Sequence, residues 1–148
     1  MRGYRFLIDN DSQAASKYFP KKRVVTFAEA GLSHDSPDSV VVARARDLEC
    51  IIVTANGPDF ESEIKRFLQK SQRKDCYDLF GLVVIPNIAA IQARVLPKLS
   101  GRLRMQGTRL SWETVWHENY LVSVHGDGSV DVREIGRCFY CKKRKDAE

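Results

Sequence analysis

Cys50-Ile51-Ile52-Val53-Thr54-Ala55-Asn56-Gly57-Pro58-Asp59-Phe60 is the stretch on which the fold turns. Cys50 to Val53 is a short apolar run rich in β-branched residues, which reads as a buried strand. From Phe60 to about Arg73 the apolar residues Phe60, Ile64, Phe67 and Leu68 recur at helical spacing. A strand that passes directly into a helix is half of a βαβ unit. Working upstream, Pro37 opens a helix that runs to about Leu48, and Arg23 to Phe27 reads as another strand. Gln13 to Tyr18 reads as a short helix ended near Pro20, and Tyr4 to Ile8 as the first strand. Downstream, Leu82 to Ile85 is a fourth strand stopped by Pro86. Strands alternating with helices predict an α/β fold with a parallel central sheet flanked by helices.

The second half reads differently. Ile88, Ile91, Val95 and Leu99 keep a helical stripe that Pro97 should kink. Ser111 to Glu118 suggests another short helix. Tyr120–Val124 and Val130–Val132 flank His125-Gly126-Asp127-Gly128-Ser129, a β-hairpin signal. Residues 1–105 are therefore expected to form the α/β domain. Residues 106–148 would add a helix, a C-terminal β-hairpin extension and a basic tail to that same domain, since a lone hairpin buries no core of its own.

The chain has 148 residues, enough for one domain with a real core, and 43% of them are hydrophobic. A net charge of +5 favours polyanionic partners, nucleic acid first. No apolar run approaches the roughly 20 residues of a membrane span. No secretory signal is visible at the N-terminus, and four cysteines, three of them far apart in sequence, do not suggest a disulfide framework, so the expected compartment is the cytoplasm.

In a parallel sheet the carboxyl ends of the strands lie along one edge, where open α/β folds place ligands. Asp9 and Asp11 follow the first strand, Glu29 the second, and Thr54, Asn56 and Asp59 the third, while Asp38 opens the intervening helix at the same edge. Clustered carboxylates repel unless a cation neutralises them, and oxygen ligands of this kind suit Mg2+ or Mn2+. Each acid also has a structural explanation. Asp11 and Asp59 sit where helix caps belong, Asp38 is a favourable first-turn acid, and Glu29 could lie on the surface. Their joint placement at strand ends is what capping does not require of Asp9.

Taken in order, Phe6-Leu7-Ile8-Asp9-Asn10-Asp11, Ala28-Glu29-Ala30-Gly31-Leu32, Pro37-Asp38, Ile52-Val53-Thr54-Ala55-Asn56 with Asp59-Phe60, and Gly81-Leu82-Val83-Val84-Ile85-Pro86 resemble the bacterial PIN-like domains. These are related to the toxin ribonucleases of toxin–antitoxin modules. The resemblance spans roughly residues 4–86. It implies a PIN-like fold and a Mg2+- or Mn2+-dependent ribonuclease that hydrolyses RNA phosphodiester bonds. Asp9, Asp38 and Asp59 would then be catalytic acids, with Asp9 and Asp59 the main metal ligands and Asp11, Glu29, Asp38 and Asn56 completing the metal set. RNA would be the substrate; a small antitoxin protein and a second copy of the chain are the protein partners this reading admits. The departure is Asn56, where the family commonly has aspartate. Asparagine ligates through oxygen but brings no negative charge, so the alternative is a catalytically inactive nucleic-acid- or partner-binding module.

Arg94, Lys98 and Arg102 lie four residues apart and would share one helical face if the helix survives Pro97. That face could bind nucleic acid by phosphate contacts, or be simply solvated. Tyr77, Trp112 and Trp116 could stack bases, although such aromatics more often fill a core. Cys138-Phe139-Tyr140-Cys141 has the shape of half a zinc site, without a second pair. His34 falls in the loop before Asp38. A phosphoacceptor receiver domain would expect an aspartate at the end of a central strand, where this chain has Thr54 and Ala55.

Overall fold

The computed structural model describes residues 4–70 and 79–137. The first half runs β1 (Arg5–Ile8), a 3-10 helix (Asn10–Tyr18), a 3-10 turn (Lys21–Arg23), β2 (Val24–Val25), α1 (Asp38–Asp47), β3 (Cys50–Thr54), α2 (Gly57–Lys70) and β4 (Gly81–Val84). The second half holds α3 (Ala89–Val95), a 3-10 helix (Leu96–Arg102), the small pair β5 (Arg104–Met105) and β6 (Thr108–Arg109), α4 (Trp112–His117), β7 (Tyr120–Val124) and β8 (Val130–Glu134).

Six strands form one mixed sheet in the order β2-β1-β3-β4-β7-β8, all parallel to their neighbours except β8, which runs antiparallel to β7. Alternation along each strand divides the core between the two faces of the sheet. Leu7, Cys50, Ile52 and Leu82 face one way and meet Val41, Val42 and Ala45 of α1 with Phe60, Ile64 and Leu68 of α2. Phe6, Ile8, Ile51, Val53 and Val83 face the other way, against Ala15, Phe19, Val95, Leu99 and Val115. Burying each large side chain of this kind is worth roughly 1.5–3 kcal/mol, so continuous apolar strands covered on both faces are where the folding energy concentrates.

The expected second strand contracts to Val24–Val25. Beyond it, Thr26 donates its N–H and hydroxyl to the Glu29 carboxylate, and Leu32 N–H bonds Phe27 O, so local turns take the groups a longer ladder would need. The helical stripe from Ile88 onward is α-helical only to Val95 and tightens to 3-10 geometry around Pro97. Arg94, Lys98 and Arg102 therefore do not share one continuous α-helical face. The hairpin forms as expected, and its first strand bonds to β4, so the second half continues the main sheet.

Asn119 secures that junction. It is buried in left-handed backbone (φ 56°), its Oδ1 accepts the Phe80 N–H at 2.8 Å, and its amide donates to Gly136 O. Trp112 is partly buried and packs edge-on against Phe6 of the core, with ring centroids 5.1 Å apart. Tyr77, Cys76, the Cys138–Cys141 pair and the basic tail lie outside the described residues. Among the described residues no helix is long and apolar enough to cross a membrane.

Candidate functional site

The sheet order puts a topological switch point between β1 and β3, where open α/β sheets form a crevice. From β1 the chain moves to β2 on one side and then crosses to β3 on the other, so the connections leave β1 and β3 in opposite directions at their carboxyl ends. Asp9 stands at the end of β1 and Thr54 at the end of β3, on the two lips of that opening.

Asp9 is held from several sides. Its N–H donates to Val53 O at 2.8 Å, its peptide oxygen accepts the Ser12 N–H, and its Oδ2 accepts the Thr54 hydroxyl at 2.8 Å. Thr54 is fully buried and its Oγ1 also accepts the Asn56 N–H at 2.9 Å. Gln13 reaches back to donate to Ile8 O at 2.8 Å, pinning the end of β1. The carboxylate is thus fixed in direction before any ligand arrives.

Asn56 and Asp59 face each other across the first turn of α2, the Asn56 amide donating to Asp59 Oδ2 at 2.9 Å. Asp38 begins α1, whose N-terminus carries no side-chain cap. Its carboxyl is held above the ordinary value, first by burial and then by the charges of Asp59, Asp9 and Glu63. Four carboxylates therefore share the field of this opening. Glu63 is the member that sequence reasoning missed, although it lies one helical turn beyond Asp59 and so on the same face.

The other expected acids lie differently. Glu29 accepts from Thr26 within its own turn, and Asp11 is an exposed first-turn acid of the 3-10 helix. His34 is exposed and pairs with Asp35 at 3.0 Å. Arg94 and Arg102 donate to Asp127 O and Gly128 O in the β7–β8 turn, while Lys98 is exposed. Both guanidiniums thus have a structural task, bracing the turn that lies at the same edge of the sheet as the acids.

Hard oxygen donors are the right chemistry for Mg2+ or Mn2+. Among the described residues no group of three or more His, Cys, Asp or Glu side chains is arranged to hold an ion. The site thus lacks the closed cage of a structural metal. Mg2+ ordinarily takes one or two carboxylates and leaves its other positions to water and substrate phosphate. Family models, curated proteins and solved structures were compared with the chain, and none matched.

Proposed function

We propose that the chain is a PIN-like, divalent-cation-dependent ribonuclease whose reaction takes place at the crevice between β1 and β3. The observation that carries this reading is the Asp9 carboxylate, fixed by the buried Thr54 hydroxyl at the sheet's switch point and sharing its field with Asp38, Asp59 and Glu63. Asp9 and Asp59 would hold Mg2+ or Mn2+, which when bound activates water and neutralises charge at a phosphodiester. Asp38 adds negative charge that draws the cation in, and Glu63 adds less, since Arg66 pairs with its carboxylate at 2.8 Å. The net charge of +5 supports attraction of the RNA backbone to the remainder of the surface.

A second reading rests on Asn56. Its amide occupies the Asp59 carboxylate, and it supplies no charge of its own. A site so weakened would bind nucleic acid or a protein partner without cutting RNA.

One experiment separates the two. Cleavage of a mixed-sequence RNA is followed with Mg2+, with Mn2+ and with chelator, for wild type, Asp9→Asn and Asn56→Asp. The nuclease reading expects cation-dependent cleavage by wild type, its loss in Asp9→Asn, and faster cleavage by Asn56→Asp. RNA retention by wild type without cleavage under any cation, unaffected by Asp9→Asn, would select the binding module.

A further inference from the structure

β8 closes one side of the sheet, with β7 as its neighbour within it. Ile135 N–H donates to Asn119 O and His125 N–H donates to Ser129 O, both at 2.8 Å, which sets the phase of the β7–β8 ladder. Counting by twos between these pairs, Asp131 and Arg133 direct their backbone groups toward β7. Val130, Val132 and Glu134 therefore turn their N–H and C=O groups to the open side. Among the described residues no strand pairs with that side; β5 lies near β8, but its ladder is with β6. Such an edge is a template for another strand.

We propose that this edge binds the same edge of a second copy of the chain, antiparallel, with Val132 on the two-fold axis. The register follows from charge. Outward-facing residues must meet outward-facing residues, so the near-centred pairings place Val132, Asp131 or Arg133 opposite itself. Asp131 against Asp131 or Arg133 against Arg133 sets like charges directly across the ladder, which is destabilising. With Val132 centred, Asp131 faces Arg133 of the second copy, and symmetry repeats the pair.

The neighbours of both residues extend this complementarity. His125 already contacts Asp131, and Glu61 already grips Arg133 through two bonds of 2.6 and 2.7 Å. Across the interface the row reads His125, Asp131, Arg133, Glu61, alternating in sign when the histidine is protonated. Val130 and Val132 lie on the opposite face, packed against the core of their own subunit. The result is one continuous sheet running through both copies.

Light scattering of the purified chain over a wide concentration range tests this, using wild type, Val132→Pro, Asp131→Arg and Arg133→Asp. Proline at Val132 removes an N–H that makes no bond among the described residues, so folding, checked by thermal melting, is retained. The proposal expects wild type to reach twice the monomer mass and Val132→Pro to stay monomeric. Each charge variant alone associates at least about tenfold more weakly, because each sets like charges opposite one another. Mixing the two charge variants pairs two arginines with two aspartates and restores a heterodimer. Wild type monomeric at every concentration, or a dimer indifferent to Val132→Pro and to the charge changes, overturns it.

Discussion

Thr54 takes part in two hydrogen bonds at once, giving its proton to Asp9 and accepting the Asn56 N–H. Thr54→Val keeps the shape and removes both. Bonds to charged groups are worth about 1.5–3 kcal/mol, so chemical denaturation should show a loss of about that size, with weaker Mn2+ binding beside it. Asp38 behaves in the opposite sense. A carboxyl whose folded pKa is raised favours its acid form, so its contribution to stability is full below the ordinary value of 3.8 and is lost as pH rises through the raised one. Asp38→Asn should therefore raise the thermal midpoint at neutral pH by about 1–2 °C, and the gain should vanish in acid below the unfolded value. Saturating Mg2+ should shrink the same gain, because the cation relieves the repulsion from Asp59, Asp9 and Glu63. Cys50 is inert by comparison, its buried thiol pushed up to about 12.

At the scale of elements, α2 must begin very close to β4. A methyl group at Gly57 would stand 2.7 and 2.9 Å from the two Cγ atoms of Val84, whose branched side chain has little freedom to turn away. Gly57→Ala should cost about 1–3 kcal/mol in urea denaturation, and it should disturb the Asn56–Asp59 pair that opens the helix. Asn119→Ala should also destabilise, by about 2 kcal/mol, since it strands the buried Phe80 N–H and leaves alanine in left-handed backbone. The apolar strands β1, β3 and β4 were legible in the sequence because a strand buried on both faces is a continuous hydrophobic run. β2 was read too long because nothing in Val24-Val25-Thr26-Phe27 signals that Thr26 will bond Glu29 instead of a neighbouring strand. The Gln106-Gly107 turn, with both residues at positive φ, joins strands of two residues each, too short for any period to register. The bonds that exposed Arg94 and Arg102 make to the β7–β8 turn were not legible because a carbonyl partner some 30 positions away leaves no trace in local spacing.

For the molecule as a whole, the order of the strands gives the acids their meaning. Asp9 and Asp59 are 50 residues apart in the chain, yet β1 and β3 are direct neighbours and their connections diverge at the carboxyl edge. That edge was expected from alternating strands and helices; the position of the switch between β1 and β3 was not, because local pattern does not fix strand order. Glu63 escaped notice for a related reason, since its place in the cluster depends on how α2 lies over the sheet. Calorimetric titration of Mn2+ into wild type, Asp9→Asn and Asn56→Asp measures the central claim directly. Wild type should bind measurably, Asp9→Asn should lose binding, and Asn56→Asp, where a second aspartate carboxylate joins Asp59, should bind at least about tenfold more tightly than wild type. Absence of Mn2+ binding in wild type and in Asn56→Asp alike would contradict that claim.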